Sequence, residues 1–247
     1  MKRIVIAWLL LLPALAFGQL NEVDDKDSAV QVVERYLRLL NVEGYTEDSM
    51  MVMETAVTVY GSDDTLTLRR WFSPARKHRV EVWYKGQLQD GLIGNDEDVF
   101  LHYNAETKRW EEVGEREFMT LVSGYDIRGP LYLWRWKGAK LTWNGLTELK
   151  GSPMQVVKVE NPGRYDRYYM FDPGSGLLTL IVESEHYTGN TEPLKGSHVE
   201  WKSCHEYLPV SNHLVPSLES FMRDGRLTIL STTAHMEHIR PRFFNRE

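Results

Sequence analysis

Between Ala29 and Leu40 the apolar residues fall at helical spacing: Ala29, Val30, Val33, Tyr36, Leu37 and Leu40 form one broad stripe. Asp27 or Ser28 is placed to cap this helix and Gly44 to stop it. From residue 49 the period drops to two. Runs rich in Val, Thr, Tyr and Trp at 49–60, 65–72, 78–85, 87–93, 99–103 and 108–112 are separated by turn-formers such as Gly61-Ser62-Asp63-Asp64 and Gly94-Asn95-Asp96, which predicts an antiparallel meander. In 78–84, Val80, Val82 and Tyr84 share one face, and Arg79, Glu81 and Trp83 the other, so one face reads as dry and one as wet.

A second helix is predicted over 115–123, where Phe118, Met119, Leu121 and Val122 cluster before Gly124. Strands then resume at 140–144, 147–150, 154–161, 164–172, 177–187, 196–207, 214–223 and 226–238. Asn161-Pro162-Gly163, Asp172-Pro173-Gly174-Ser175-Gly176 and Asp224-Gly225 are hairpin signals, since Gly takes positive φ without a Cβ clash and Pro presets the first turn position. About a dozen antiparallel strands in one sheet must curl or close, because strongly twisted open sheets rarely exceed ~10 strands. A curled sheet leaves an inner face for helices, and for a ligand, to fill.

The amino terminus points to export. Lys2 and Arg3 precede an apolar run from Ile4 to Leu12, and Ala16-Phe17-Gly18 carries small residues at −3 and −1, the pattern of a secretory signal peptide cut after Gly18. The run is shorter than the ~20 residues a membrane-spanning helix needs. No cysteine lies near the cut, which disfavours a lipid-anchored protein. The reading divides the chain into a signal peptide at 1–18, a polar lead-in at 19–27 and one domain at 28–247, exported to the periplasm.

Composition narrows the function by exclusion. The chain is 42% hydrophobic and 26% charged, an ordinary globular balance. Its net charge of −6 becomes −8 once the first segment leaves with Lys2 and Arg3, which argues against a phosphate-tracking nucleic-acid binder. Cys204, the one cysteine, excludes an intrachain disulfide. His235 and His238 are three apart in a predicted strand and so face opposite ways, and Cys204 and His205 are adjacent and point apart. Asp96-Glu97-Asp98 lacks the ligand spacing of a calcium loop, and scattered carboxylates such as Glu183 and Glu185 are common in any β-protein of this charge. Neither a Gly-rich phosphate loop nor a GxSxG motif occurs. No catalytic residue, metal site or cofactor is assigned.

The order of several motifs resembles the LolA-type carriers, the outer-membrane lipoprotein-sorting proteins. Leu39-Leu40-Asn41-Val42-Glu43-Gly44 resembles the end of their opening helix. Trp71-Phe72-Ser73-Pro74 followed by His78-Arg79-Val80-Glu81 is similar to their strand, proline turn and next strand. The segment Gly94 to Asn104 resembles their hairpin, and Glu117 to Val122 sits where they have a lid helix. Gly129-Pro130-Leu131, Trp143-Asn144-Gly145, Lys150-Gly151-Ser152-Pro153-Met154, Phe171-Asp172-Pro173-Gly174-Ser175-Gly176-Leu177, His205 to Pro216 and Arg223-Asp224-Gly225-Arg226-Leu227 resemble the second half, so the likeness spans 29–244.

That resemblance implies a mainly β (α+β) fold: one large curved antiparallel sheet forming an incomplete barrel of about eleven strands, covered by two or three helices. It implies binding of acyl chains of lipids or lipoproteins, transfer between inner- and outer-membrane partners, no covalent chemistry, and a monomer. A lipid-sensing module that signals to a partner protein is the alternative on the same fold, and an enzyme using scattered carboxylates a third. Where the carriers have an arginine before the turn proline, this chain has Ser73, with Arg69, Arg70 and Arg76 nearby, which leaves open lipoprotein or another lipid as cargo. One strand parity and the helix faces then supply the acyl wall: Val57, Val59, Leu66, Leu68, Val80, Val82 and Leu101 from strands, Phe118, Leu121 and Val122 from the second helix. Trp134 and Trp136 either ring its mouth or pack.

Overall fold

The computed structural model describes residues 25–41, 44, 49–73, 77–94, 99–122, 131–132, 134–135, 138–160, 166–183, 200–223 and 226–238. The expected signal peptide, most of the lead-in, the proline turn after Ser73 and Trp136 lie outside them. Helix α1 (Asp25–Leu40) leads into six strands, β1 (Ser49–Val59), β2 (Thr65–Ser73), β3 (Lys77–Tyr84), β4 (Gln87–Gly94), β5 (Phe100–Asn104) and β6 (Arg109–Glu112). Helix α2 (Glu115–Val122) follows. Then come β7 (Lys140–Leu149), β8 (Ser152–Glu160), β9 (Arg167–Phe171), β10 (Leu178–Glu183), β11 (Glu200–Val210), β12 (His213–Arg223) and β13 (Arg226–His238).

All thirteen strands join one antiparallel sheet in the order β6-β5-β4-β3-β2-β1-β13-β12-β11-β10-β9-β8-β7. Among the described residues the ends of this order do not pair, so the sheet is an open, incomplete barrel. The thirteen strands among the described residues exceed the expected eleven because even short runs such as β6 find a ladder partner. Every pair of neighbours in the sheet is consecutive in the chain except β1 with β13, the pairing that joins the two meanders, and β6 and β7, consecutive in the chain, form the two edges. The breaks expected near Asn144-Gly145 do not form a turn. β7 runs through them with a bulge between Trp143 and Leu146, since pairing with β8 outweighs a local turn preference.

Register carries side-chain parity from one edge to the other. Tyr169 pairs with Ile181, Ile181 with Lys202, Lys202 with Phe221, Phe221 with Thr228 and Thr228 with Val59. On the same face, Val57 pairs with Leu66, Leu68 with Val82, and Val80 with Leu92. Both helices lie on this face, the inner one. Ala29, Val33, Tyr36 and Leu40 of α1 bury against Leu141, Val157, Val159, Tyr169, Phe171 and Leu178. Phe118 and Val122 of α2 bury against Val80 and Leu92.

α1 is fastened as well as packed. Arg35 Nη1 donates to Pro173 O at 3.0 Å and Nη2 to Gly174 O at 2.8 Å, and Arg135 Nη2 meets Glu34 Oε1 at 2.7 Å. The β9–β10 turn reaches the helix only because position 176 is glycine. Its φ is +78°, and a Cβ there would lie 2.6 Å from Arg35 Nε. The helix ends on Asn41, whose φ of 52° turns the chain out of the helix.

His213 holds that end: it is buried, and its Nδ1–H donates to Asn41 O at 3.0 Å. Burial keeps its pKa below the ordinary imidazole value. The unfolded chain therefore takes up a proton that the folded one refuses, and stability falls as pH drops below about 6.5. The melting temperature is expected to fall between pH 7.5 and 5.5, and to fall less in His213→Asn, whose amide keeps the bond to Asn41. Equal slopes in thermal melts of the two proteins would show that His213 does not set this dependence.

The outer face is less wet than the sequence pattern suggests. Glu81 is 5% exposed, taking bonds from Arg79 Nε at 2.8 Å and Trp83 Nε1 at 2.9 Å. Arg79 stacks over Trp71 and Arg69 over Trp83, while Arg69 Nε bonds Glu54 Oε2 at 2.8 Å. The alternation of Arg79, Glu81 and Trp83 with valines is thus an ion–aromatic ladder rather than a solvated surface. Met154, Val156 and Met170, opposite the α1 core, are buried too, so β8 and β9 are apolar on both faces.

Candidate functional site: an apolar strip between two helices

Between the α1 and α2 packing areas, the inner face carries apolar side chains that are only partly covered, with Leu68 at the edge of the α2 cluster. Val59 and Leu66 are each 37% exposed, and Val57, Leu68, Val82, Phe221 and Leu230 are half-buried. Strand parity produces the strip: Val57–Leu66, Leu68–Val82, Val59–Thr228 and Val57–Leu230 are cross-strand neighbours. Along β1 the same parity runs from buried Met51 and Met53 through buried Thr55 to Val57 and exposed Val59. The strip therefore grades from a closed floor to an open rim.

The register places nine of the ten candidate wall residues on this inner side. Val57, Val59, Leu66, Leu68, Val80 and Val82 share the face, and Phe118, Leu121 and Val122 pack onto it from α2. Leu101 does not. It pairs with Ile93 and Glu112 on the outer face, while its neighbour Phe100 faces inward and meets Phe118, ring centroids 4.9 Å apart. In a five-residue strand with Phe, Leu and Tyr on both parities, alternation alone does not pick the inner residue. Trp134 packs against the α1 core.

α2 behaves differently from α1. It is eight residues long, and its hold rests on Phe118 and Val122 inserted among Val80, Leu92 and Phe100. Gly94 makes room for it, since a Cβ there would lie 2.5 Å from Phe118 Cζ.

Polar groups on the inner face are mostly closed on one another. Lys202 Nζ meets Glu219 Oε1 at 2.7 Å, Arg167 Nε meets Glu183 Oε2 at 2.7 Å, and His102 Nε2 lies 2.9 Å from Asp90 Oδ1. Tyr207 O–H donates to Leu178 O at 2.8 Å. Cys204 Sγ lies 3.4 Å from Glu219 Oε1, and burial pushes its thiol up to about 12, so it stays protonated at neutral pH. His205 turns to Ser220 on the outer face, 2.7 Å away, so Cys204 and His205 do not form a nucleophile–base pair. Arg70, with Thr55 and Thr232, was not among the candidates. Its signal is the pair Arg69-Arg70, because adjacent strand residues face opposite ways and one of the two must point inward.

No family model matches the sequence, and no curated protein matches it. Solved structures do. A LolA superfamily protein from Nitrosomonas europaea superposes with a TM-score of 0.57 at 8% identity, covering 88% of this chain and 97% of that one. A DUF1329 family protein from Desulfovibrio piger gives 0.56 at 9% identity, with the same 88% and 97% coverage. An outer membrane lipoprotein-sorting protein domain from Vibrio parahaemolyticus gives 0.51 at 12% identity, covering 86% and 97%. The fold is that of the LolA-like incomplete barrels. Among the described residues, no helix is long and apolar enough to cross a membrane, and no group of three or more His, Cys, Asp or Glu is placed to hold a metal ion.

Proposed function

We propose that this protein binds acyl chains of lipids or lipoproteins on the inner face of its incomplete barrel and carries them through the periplasm towards the outer membrane, by binding alone. The observation that carries this reading is the apolar strip from Val57 to Val82, lying between one fastened helix and one short one. A water-exposed acyl chain costs about 0.8 kcal/mol per CH₂, so a chain of about sixteen carbons costs on the order of 10 kcal/mol. Spontaneous release from a membrane is negligible at that cost, and a trough that covers the chain removes most of it.

A carrier must also unload. Phe118 and Val122 use the same surface that a chain would cover, so lid closure and ligand binding compete, which keeps affinity moderate. The cargo class draws support from the lipoprotein-sorting domain among the fold's neighbours, and the export route from the signal-like segment at 1–18. Handover at each membrane implies transfer partners there.

The test is transfer of a pyrene-labelled phospholipid from donor to acceptor vesicles. The wild-type protein is expected to accelerate it and to carry acyl lipid through purification. Val82→Glu sets a carboxylate in the middle of the strip, where covering it with a chain strands the charge. That variant is expected to lose at least about tenfold in transfer rate with an unchanged circular dichroism spectrum. A protein that binds no lipid and moves none sinks the reading, and occupancy without net transfer places it among lipid sensors.

A further inference from the structure

The partly covered strip has a long axis and two ends. Along the strands it is short. On β1 it takes in Val57 and Val59, with the buried hydroxyls of Thr55 and Thr232 on one side, 2.8 Å apart, and the β1–β2 turn on the other. Two such positions on one strand face lie about 7 Å apart. Across the strands the strip is long. Leu66, Val57 and Leu230 form one row of cross-strand neighbours from β2 through β1 to β13, and Val59, Thr228 and Phe221 form a second from β1 through β13 to β12. Val82, paired with Leu68, and Tyr84, paired with Leu66, carry the surface on to β3, where Val80 goes under α2.

Both rows run into the same ion pair. The next member of the first is Glu219 on β12 and the next member of the second is Lys202 on β11, and Lys202 Nζ meets Glu219 Oε1 at 2.7 Å. Glu219 also takes the Cys204 S–H at 3.4 Å, and its side chain is only 10% exposed. Beyond the pair the face is closed: Cys204, the partner of Glu219, and Ile181, the partner of Lys202, belong to the core under α1. Methylenes laid on the pair would strip water from two charges and gain no apolar contact, so the surface that favours a chain ends here. From β3 to β12 the strip crosses four strand intervals, about 19 Å at a spacing of about 4.8 Å. An extended alkyl chain advances about 1.25 Å per carbon, given C–C bonds of about 1.5 Å, so about sixteen carbons fill that span.

We infer that the Glu219–Lys202 pair is the end stop of a chain-length ruler. An extended acyl chain lies across β3, β2, β1, β13 and β12 rather than along any one strand, and chains longer than about sixteen carbons gain nothing from the excess. This rests on the acyl-binding reading and adds the direction of the chain and the length class of the ligand.

The test is competition of even-numbered saturated fatty acids, from decanoate to eicosanoate and below their micelle concentrations, against the bound methyl ester of a pyrene-labelled fatty acid. With the full-length purified wild-type protein, affinity is expected to rise by up to about fourfold for each added carbon and to level off near about sixteen. Leu230→Gln brings a polar group one strand interval inward, and its series should level off about four carbons earlier. Lys202→Met with Glu219→Leu removes both charges together, a replacement that folded proteins often accept, and its series should rise for about four carbons more. A wild-type series that climbs evenly through eicosanoate overturns the ruler without need of any variant. So does a plateau that stays at the wild-type length in folded Leu230→Gln, whether or not the double variant folds. Binding that shows no dependence on chain length overturns it too, and leaves the acyl-binding reading standing. If the ester probe and every acid fail to bind, the acyl-binding reading fails and the ruler with it.

Discussion

Replacing Phe118 with alanine is expected to raise the affinity for an apolar acyl probe by about tenfold while making α2 less stable. The ring is 1% exposed and sits on Gly94 beside Phe100, over Val80 and Leu92. An eight-residue helix has little stability of its own, since isolated helices shorter than about 12 residues are marginal in water. Packing therefore holds α2 down, and truncating a buried Phe typically costs about 3–5 kcal/mol. If chain and lid compete for Val80, Leu92 and Phe100, the closed lid acts as a tax on binding, and lowering its population raises the apparent affinity. Gly94→Ala should act in the same direction by the opposite means, since the added Cβ would lie 2.5 Å from Phe118 Cζ and push the ring out. Fluorescence titration of both variants with the pyrene-labelled methyl ester checks this. Unchanged affinity in both would confine binding to the uncovered strip and take α2 out of the mechanism.

Helix α2 was legible in the sequence because its apolar residues cluster, and so was the parity of the strip. Val57, Val59, Leu66, Leu68, Val80 and Val82 sit at odd or even positions of long strands whose opposite parity carries Glu54, Arg69, Arg79 and Glu81, so one pattern fixes all six. The stripe of Ala29, Val33, Tyr36 and Leu40 identified α1 for the same reason, three and four residues being one turn. Alternation stops being informative where the pattern thins. β5 has five residues and apolar side chains on both parities, so alternation does not reveal that Leu101 faces outward. Asn144-Gly145 carries turn composition, yet a long-range ladder claims it as a bulge. Polar strand residues ordinarily face outward, a rule that the consecutive Arg69 and Arg70 necessarily break, since adjacent strand residues face opposite ways. The buried Glu81 shows the same limit from the other side: its partners Arg79 and Trp83 are two residues away on its own strand, and their mutual contact is not written in alternation.

Truncating Phe171 is expected to affect the molecule in the other way, costing global stability and giving no gain in affinity. Phe171 is fully buried, and Tyr36 of α1 meets it edge-on with ring centroids 5.5 Å apart. Phe171→Ala should cost about 3–5 kcal/mol, a large part of the 5–15 kcal/mol that holds a typical domain together. For a protein of this size that corresponds to a fall in melting temperature on the order of 10 °C. The contrast with Phe118 follows from how the helices are attached. α1 has four core residues below the sheet's dry end, two bonds from Arg35 to the β9–β10 turn, the Glu34–Arg135 pair and the His213 bond at its terminus. Loosening one aromatic contact leaves these in place, so α1 stays seated and no acyl surface is uncovered. Thermal melts together with titration of the same ester probe separate the two helices. A Phe171→Ala protein that melts lower and also binds tighter, as expected for Phe118→Ala, would mean that α1 opens too and that the trough is gated from both sides.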